Sequence, residues 1–414
     1  MARLHIEKLV AGGLGLARTP SGTALVRGGL PGEVVEAELR ERKNHLEGHV
    51  RKILEPHPAR YLKPLPPSAD LPLEYPAQLP IKQGFVQESL ERIAKLSFAV
   101  FPIQPSPTYG AEEGLYCRTA AQYALHPLGG LAYRQPKSSD LVRIPHDPLI
   151  AEPLQPAFAL LSGWPLSSLE EVVLRGSIYE GSVQVGIIGG QAQFFKKTAQ
   201  ALLQEGIAGV IWGEPSRRGR FRGRIQHLGG ASGLLEDFGG VLSTVNVQSF
   251  AQVNPRAAGL LFREASQIVA PGRKAVELYA GSGVLSLHLA PLFEEIVAIE
   301  INRSAVARGE ADRDRLGVQN LVFKQDDARV LTKHLPADLV MVDPPRAGLS
   351  PEVLKSLAEG QPAHILYIAC DPATWARDVG RLGQAGYQLR FVRPYDFYPF
   401  THHVEVLSLL SRQN

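Results

Sequence analysis

Cysteine is scarce in this chain, which has two among its 414 residues, Cys117 and Cys370. Two thiols cannot build a disulfide framework or a multi-cysteine metal or iron–sulfur site, so we expect neither. No apolar run approaches the roughly twenty residues that a membrane-spanning helix needs. The first ten residues lack a secretory pattern, because Glu7 and Lys8 interrupt the apolar stretch. These absences predict a reduced, cytoplasmic protein with no metal and no membrane partner.

The composition is that of an ordinary globular protein, with 44% apolar and 21% charged residues. The length allows two or three domains, each with its own core. The formal net charge of +3 is only mildly basic. It leaves nucleic acid open as a partner, because phosphates respond to clustered cations more than to the total charge.

The first 54 residues predict a small β-domain. Short alternating runs separated by glycine turns predict five strands, at residues 4–9, 13–17, 23–27, 34–40 and 48–53. So many strands in so short a segment favour a closed OB-like barrel of the kind that grips nucleic acid. A β-module without a binding role fits the pattern equally well.

Residues 55–245 predict a central α+β domain. A proline-rich linker at 56–76 precedes apolar residues at helical spacing over 77–96, and strand-like runs alternate with helical ones after residue 115. This part also contains a basic segment in which arginines alternate with glycines around one aromatic ring. Its members are Arg217, Arg218, Arg220, Phe221, Arg222 and Arg224. Arginine forks bind phosphate and the ring can stack on a base, and no acid is interleaved, so we predict RNA contact rather than a solvated hairpin tip.

Residues 246–414 predict an α/β domain with a Rossmann-like, mostly parallel sheet. Strand patterns at 275–279, 296–300, 322–325, 339–342, 364–368, 389–394 and 403–410 alternate with helical patterns. In such sheets, ligands bind at the carboxyl ends of the strands.

The first two of these strands predict a nucleoside-cofactor site. Gly281 and Gly283 would let the backbone approach a ligand at the start of the next helix, and Glu300 ends the second strand, where an acid can accept ribose hydroxyls. Ser286 stands at the third glycine position of the dinucleotide fingerprint, which weakens an NAD interpretation. A tight turn beside an exposed acid is the alternative.

Two later strands end in residues that suggest chemistry. Asp343 begins an Asp-Pro-Pro-Arg segment, and its two prolines stiffen the loop beside the reactive end of the cofactor. Cys370 leaves the next strand at the start of a helix, where the macrodipole predicts a lowered thiol pKa and a nucleophilic thiolate. The alternative is an inert buried thiol.

The last strand pattern contains an unusual carboxylate. Glu405 lies in an apolar strand, where it needs a partner or a function. His402 and His403 are adjacent, so within a strand they would face opposite ways and could not jointly chelate a metal.

Together these segments resemble the SAM-dependent RNA uracil-5-methyltransferases that carry an N-terminal TRAM domain, where SAM is S-adenosylmethionine. The resemblance rests on Leu30-Pro-Gly-Glu33, Ser249-Phe-Ala-Gln-Val-Asn254, Tyr279–Gly283, Asp343–Arg346, Ala369–Asp378 and Pro399–Glu405, in the family's order. It implies SAM contacts from Gln252, Tyr279, Gly281, Gly283, Glu300, Asp327 and Asp343. It also implies that Cys370 is the nucleophile that adds to C6 of uracil, and that Glu405 is the base that removes the C5 proton.

The sequence departs from that family at several positions. Val284 stands where many members have asparagine, and Ala251 replaces a second aromatic residue. Many relatives hold a four-cysteine iron–sulfur cluster. Here residues 67–71 contain no cysteine and Asp147 stands where a fourth would be expected, so we expect no cluster.

Family analogy favours 23S ribosomal RNA over transfer RNA as the substrate, and we expect a monomer. An RNA cytosine-5-methyltransferase would carry its nucleophile in a different motif. A non-catalytic RNA-binding ribosome-assembly factor would not need both Cys370 and Glu405. These two alternatives stay open beside the ribosomal enzyme, as does a transfer RNA uracil-5-methyltransferase.

Overall fold

The computed structural model describes residues 1–10, 12–107, 113–135, 138, 140–164, 169–217 and 221–413. Within these ranges the chain forms three large sheets, a two-stranded hairpin and a set of helices that mostly cover the third sheet. None of the helices in these ranges has the length and apolarity that crossing a membrane requires.

The N-terminal sheet has six strands in the order β1-β5-β6-β4-β3-β2. The strands are β1 (Ala2–His5), β2 (Lys8–Val10), β3 (Leu14–Thr19), β4 (Gly22–Arg27), β5 (Val34–Glu41) and β6 (Leu46–Glu55). The prediction of five strands was wrong, because the run at 4–9 splits into two strands that pair with different partners. The amide of Ile6, between them, donates to the carbonyl of Glu33.

The central sheet has seven strands in the order β13-β12-β11-β10-β7-β8-β9. They are β7 (Ala120–Leu125), β8 (Leu131–Arg134), β9 (Leu141–Arg143), β10 (Glu171–Ser177), β11 (Ser182–Ile188), β12 (Gly209–Gly213) and β13 (Ile225–Gly230). One face is rich in branched and aromatic residues, such as Leu174, Val185 and Trp212, and packs on helices α2 (Leu154–Gly163) and α3 (Lys196–Gln204). Side chains alternate along each strand, so on β7 the other face carries Ala120, Gln122 and Ala124.

The C-terminal sheet has seven strands in the order β18-β17-β16-β19-β20-β22-β21. They are β16 (Gly272–Leu278), β17 (Phe293–Glu300), β18 (Leu321–Gln325), β19 (Leu339–Val342), β20 (His364–Ala369), β21 (Tyr387–Tyr395) and β22 (Glu405–Arg412). The first five are mutually parallel, and β22 runs antiparallel to both β20 and β21. The predicted strand–helix alternation is therefore confirmed as a mixed α/β fold.

The remaining elements cover this sheet. They are the hairpin β14 (Leu234–Asp237) and β15 (Leu242–Val245), and helices α1 (Tyr75–Ser89), α4 (Pro255–Ile268), α5 (Val284–Leu289), α6 (Arg303–Arg315), α7 (Pro351–Gly360) and α8 (Pro372–Gln384). At the start of helix α4 the side chain of Asn254 accepts from the amide of Ala257, and Pro255 lies in the first turn. Helix α1 follows the proline-rich linker and continues as a π-helical turn over Leu90–Ala94. Its Val86 and Leu90 share a core with the C-terminal sheet.

Candidate active site

A cavity of about 480 Å³ opens at the carboxyl ends of the parallel strands. Seven of the nine residues predicted for catalysis or cofactor binding line it: Gln252, Tyr279, Gly281, Glu300, Asp343, Cys370 and Glu405. These residues are separated by up to 153 positions in the sequence, from Gln252 to Glu405. The strand order brings them together, as expected for an open α/β sheet.

The loop after β16 has a backbone that few residues adopt. Tyr279, Gly281 and Gly283 all have positive φ, of 61°, 56° and 73°. A Cβ on Gly283 would lie 2.5 Å from the ring of Phe323, whereas a Cβ on Gly281 would meet no atom within 4 Å. Gly283 is therefore required by packing, and Gly281 leaves open space for a ligand to approach the backbone.

The carboxylate of Glu300 is fixed by backbone amides. It accepts from the amide of Gly281 at 2.9 Å and from the amide of Asn302 at 2.7 Å. A carboxylate has about four acceptor positions, so about two remain for other donors. The position suits the two adjacent hydroxyls of a ribose.

Gln252 lies in the loop before α4 and faces the same cavity. Its Oε1 is buried and has no hydrogen-bond partner among the described residues. The loop is anchored by buried Arg175, whose Nη1 donates to the carbonyl of Ala251 at 3.3 Å. An unpaired buried acceptor is rare in a finished structure, which indicates that a donor from a ligand belongs there.

Asp327 lies near the cavity but does not line it. It caps the helical turn Ala328–His334, and its Oδ1 accepts from Nε of Arg329 at 2.8 Å. Burial raises the pKa of Tyr279 to about 12, and the charge of Asp327 contributes to that shift. Asp327 is therefore a neighbour of Tyr279 that is already engaged with an arginine.

Cys370 lies between the end of β20 and the start of α8, half-buried in the cavity wall. The predicted direction of its pKa shift was wrong. Burial, followed by the charges of Glu405 and Asp343, raises the thiol pKa to about 11, and Arg346 only partly offsets them. Desolvation and two carboxylates thus outweigh the helix N-terminus, whose dipole is worth typically 0.3–1 kcal/mol, or about half a pKa unit.

The two carboxyl groups in the cavity are also strongly perturbed. Burial and the charge of Asp343 raise the pKa of Glu405 to about 8, against the weaker opposite effect of Arg346. Burial raises the pKa of Asp343 to about 7. A carboxyl group with a pKa in this range is suited to exchange a proton near neutral pH.

The two histidines before β22 lie in a bend, so the prediction that they face opposite sides of a strand was wrong. Their ring centroids are 4.0 Å apart. Nδ1 of His402 bonds Oδ2 of Asp70 at 2.6 Å, and Nε2 of His403 lies 3.1 Å from Nη2 of Arg346. Burial, followed by the electrostatic effects of the neighbouring His402 and Arg346, lowers the pKa of His403 to about 3, so it lines the cavity as a neutral ring.

The segment from Asp396 to His402 is held by residues far away in the sequence. Lys82 of α1 is completely buried, and its Nζ bonds Oδ1 of Asp396 at 2.6 Å and the carbonyl of Tyr398 at 2.9 Å. Oε1 of Gln78 accepts from the amide of Phe400 at 2.7 Å. Helix α1 thereby fixes the segment that supplies Tyr398, His403 and Glu405 to the cavity.

The described members of the predicted RNA-binding segment, which are Arg217, Phe221, Arg222 and Arg224, lie between β12 and β13 of the central sheet. Arg218 and Arg220 fall outside the described residues. Phe221 packs against the sheet where Gly186 and Gly213 leave room, since a Cβ on either would come within 2.8 Å of its ring. At least part of this ring is therefore already covered.

Arg224 is not a free cation. Its guanidinium pairs with Glu214 at 3.1 Å across the hairpin. No acid is interleaved within the basic segment itself, but the fold brings this carboxylate to it from the end of β12. Arg217 and Arg222 remain exposed.

Several cavity residues were not predicted as site residues. Tyr398, Arg346 and His403 lay within recognised motifs, and Phe250, whose side chain is 80% exposed at the cavity mouth, lies in the Ser249–Asn254 segment. Asn302, which caps the N-terminus of α6, and Arg308 within that helix had no sequence signal, because only the fold brings them to the wall.

Comparison with known proteins connects this cavity to a family. Residues 323–413 match the family model for tRNA (uracil-5-)-methyltransferases. An uncharacterized RNA methyltransferase of Gloeobacter violaceus is 31% identical, and the alignment covers 98% of this chain and 95% of that protein. The chain belongs to the RNA uracil-5-methyltransferase family. It is a SAM-dependent enzyme, and the segment that matches the family model contains Asp343, Cys370 and Glu405.

Other relatives of this methyltransferase differ in the RNA that their names specify. The 23S rRNA (uracil(747)-C(5))-methyltransferase of Vibrio vulnificus is 34% identical over 48% of this chain and 54% of its own length. The tRNA (uracil-54, C5)-methyltransferase of Pyrococcus abyssi, solved with S-adenosyl-L-homocysteine, has a TM-score of 0.80 and 24% identity, and covers 99% of this chain and 100% of its own. The two chains therefore share their overall fold over nearly their whole length.

The described residues of this methyltransferase include no group of three or more histidine, cysteine, aspartate or glutamate side chains arranged to hold a metal ion. The absence of an iron–sulfur cluster remains a prediction.

Proposed function

We propose that the enzyme methylates C5 of a specific uridine in 23S rRNA, with Cys370 as nucleophile and Glu405 as base. The main support for the proposal is that one cavity wall includes a thiol, two carboxyl groups with raised pKa values and a glycine loop. A carboxylate held by backbone amides lies beside that loop. Neighbouring residues of the wall supply both a place for a nucleoside cofactor and the groups for covalent catalysis.

The residues present fit S-adenosylmethionine. Gln252 has an orphaned buried acceptor, Gly281 leaves open space, and Glu300 retains acceptor capacity on a carboxylate held by two amides. Gln252, Tyr279, Gly281, Glu300 and Asp343 would hold the cofactor. When bound, it supplies the methyl group that C5 acquires.

Cys370 would activate the uracil ring. The Cys370 thiol, whose pKa is raised to about 11, first gives its proton to water or to the Asp343 carboxylate. The resulting thiolate adds to C6 of uracil, and the electron pair of the C5–C6 double bond becomes available at C5, which is otherwise a weak nucleophile. After C5 is methylated, the Glu405 carboxylate takes the C5 proton. The electrons of the C5–H bond re-form the double bond and expel Cys370 as a thiolate. The pKa of Glu405, raised to about 8, makes its carboxylate a stronger base than an exposed glutamate.

The organisation that we propose has three parts. Residues 1–54 would be a TRAM barrel, residues 55–245 a central RNA-binding domain and residues 246–414 the catalytic domain. The uridine must leave its stack to reach the cavity, so we infer a looped or flipped target. The enzyme would act as a cytoplasmic monomer.

Replacement of the two cysteines tests the nucleophile. Cys370→Ala should abolish both methyl transfer from labelled S-adenosylmethionine and any covalent RNA adduct. Cys117→Ala is the matched control, because that thiol is completely buried away from the cavity. It should retain methylation. Adduct formation by Cys370→Ala would refute the assignment.

Glu405→Gln tests the base. It keeps the side-chain shape but cannot accept the C5 proton, so turnover should fall by about 10²–10⁴-fold. Because addition and methylation come first, a methylated covalent complex should accumulate and survive denaturing electrophoresis. Normal turnover would show that another residue removes the C5 proton, and Asp343 would be the next candidate.

The choice between the two RNA classes needs mapping. Mass analysis of 5-methyluridine in 23S rRNA and in transfer RNA from a deletion strain should show one missing site in the ribosomal RNA. Loss from transfer RNA alone would favour the other substrate.

A further inference from the structure

The central sheet has a groove on the face that its helices leave uncovered. The groove has a volume of about 370 Å³ and lies over β7, β8 and the start of β10. Its floor includes Ala120, Ala124 and Ala132, and its walls include Arg118 and Arg134. Small residues on the floor let a ligand approach the sheet closely.

Strand register places a third arginine on this face. Ala124 of β7 is paired with Ala132 of β8, and Ala132 is paired with Arg143 of β9. Directly paired residues in antiparallel strands point to the same side of a sheet. Arg143 therefore extends the row of cations beyond Arg134, and both side chains are exposed.

These three arginines lack carboxylate partners in the part of the chain that the structure describes. Among the described residues, no carboxylate lies within 4 Å of the guanidinium of Arg118, Arg134 or Arg143, whereas Arg3, Arg51 and Arg60 each have one. Glu171 also lines the groove, and its carboxylate accepts a hydrogen bond from Gln122. The groove thus carries a net positive charge that no other described residue neutralises.

The groove lies next to the active site. Nη2 of Arg118 donates to the carbonyl of Pro399 at 3.4 Å, four residues before cavity-lining His403. Ser68 lines the groove, and two residues later Asp70 bonds His402. A strand of RNA that leaves the cavity over this segment would reach the arginines next.

We propose that this groove binds the sugar–phosphate backbone of single-stranded RNA flanking the target uridine, with Arg134 and Arg143 as phosphate ligands and Arg118 as its inner wall. The inference rests on the proposed function for the identity of the ligand. Guanidinium forks match phosphate oxygens, and the alanine floor allows the backbone to lie against the sheet.

Charge reversal of the two exposed arginines tests the groove. Arg134→Glu/Arg143→Glu should weaken binding of a fluorescent single-stranded 20-nucleotide oligouridine by tenfold or more at 100 mM salt, measured by anisotropy. The salt dependence should also flatten, by about 0.7 for each phosphate that the variant no longer neutralises. With ribosomal RNA, KM should rise while kcat at saturating RNA and binding of S-adenosylmethionine stay unchanged.

Arg381→Glu/Arg412→Glu is the matched control, since it changes the charge equally. Both arginines are exposed where α8 and β22 end. The end of β22 lies beside the start of β20, at the edge of the C-terminal sheet opposite the cavity. The affinity of this control should change less than twofold. If oligouridine binding weakens equally in both variants, or does not weaken in Arg134→Glu/Arg143→Glu, the proposal that the groove binds RNA is refuted.

Two further measurements separate this proposal from the proposed function. The wild-type enzyme could form no 5-methyluridine while the groove variant, but not the control variant, binds RNA more weakly. That result would refute the proposed function and support RNA binding by the groove. If methylation is normal in both variants and their oligouridine affinities are equal, RNA binding by the groove is refuted and the proposed function is not. Should charge reversal unfold the protein, Arg134→Gln/Arg143→Gln removes the charges more gently and should still weaken binding at least threefold.

Discussion

The cavity of the C-terminal sheet and the open face of the central sheet differ in whether their charged groups are buried or exposed. In the cavity region, carboxyl groups and a lysine are buried among one another, and Lys82 and Asp396 are completely inaccessible. On the central face, Arg134 and Arg143 are exposed and unpaired among the described residues. Buried groups need partners to exist there at all, whereas exposed unpaired ones are available to a ligand.

This difference has a physical consequence for mutation. A change to a buried charge alters the free energy of unfolding, because its partner is left without solvation. A change to an exposed cation alters the association with RNA and leaves folding almost untouched. Three predictions test this contrast, from the largest effect to the smallest.

Two lysines allow the contrast to be measured directly. Lys82→Met should lower the free energy of unfolding by about 3–5 kcal/mol, because Asp396 becomes an unpaired buried charge. Lys8 makes an ion pair of the same length with Glu88, 2.6 Å, but the side chains are 41% and 33% exposed. Lys8→Met should therefore cost about 1 kcal/mol or less. Urea unfolding followed by circular dichroism measures both.

A second replacement checks the cause. Adding Asp396→Asn to Lys82→Met removes the uncompensated carboxylate and should recover part of the stability. If the double variant is no more stable than Lys82→Met, packing rather than charge explains the effect.

Glu277 provides a pH-dependent test of burial. This residue of β16 is buried, and its pKa is raised to about 8 by desolvation, which outweighs its hydrogen bonds from Ser286. The folded state therefore retains a proton that the unfolded state loses near its ordinary value of 4.5, so this group's contribution falls as pH rises from about 4.5 to 8. Glu277→Gln should gain stability relative to the wild type across that window, by at most about 1.4 kcal/mol per pH unit.

Thermal or urea unfolding between pH 5 and pH 8 measures that difference. Glu214→Gln is the exposed control. Hydrogen bonds from Arg224 lower the pKa of Glu214, so the relative stability of this variant should not rise with pH. A flat difference for Glu277→Gln would mean that its carboxyl group is ionised in the folded protein.

The arginine segment should show the smallest effects. Arg222→Ala should weaken oligouridine binding a few-fold and reduce the salt slope by up to about 1. Arg224→Ala should weaken it less, because Glu214 already neutralises that charge. Anisotropy titrations at several salt concentrations compare the two. A larger effect for Arg224→Ala would show that the pair with Glu214 opens on RNA.

The sequence was most informative where function depends on local order. Strand and helix periods located the C-terminal sheet, and the ends of its strands carried Glu300, Asp343 and Cys370, so parallel topology alone brought them to one edge. The last strand was placed two residues too early, since the bend at His402 and His403 is held by Asp70 from the linker.

The sequence was least informative where the result depends on contacts between distant segments. The pKa of Cys370 follows from how closely Glu405 and Asp343 are buried beside it, and no motif states that. Glu214 and Arg224 meet across a hairpin, and Arg118, Arg134 and Arg143 meet only through strand register. These features belong to the assembled fold.

The contacts that hold the segment before Glu405 join residues that lie far apart in the sequence. Asp70 to His402, Gln78 to Phe400 and Lys82 to Asp396 span 332, 322 and 314 residues. Contacts of such sequence separation close late in folding, because loop-closure entropy opposes them until the rest is in place. A ribosome must therefore have synthesised residues 396–402 before these contacts can form, so we expect a nascent chain that ends before this segment to lack the cavity.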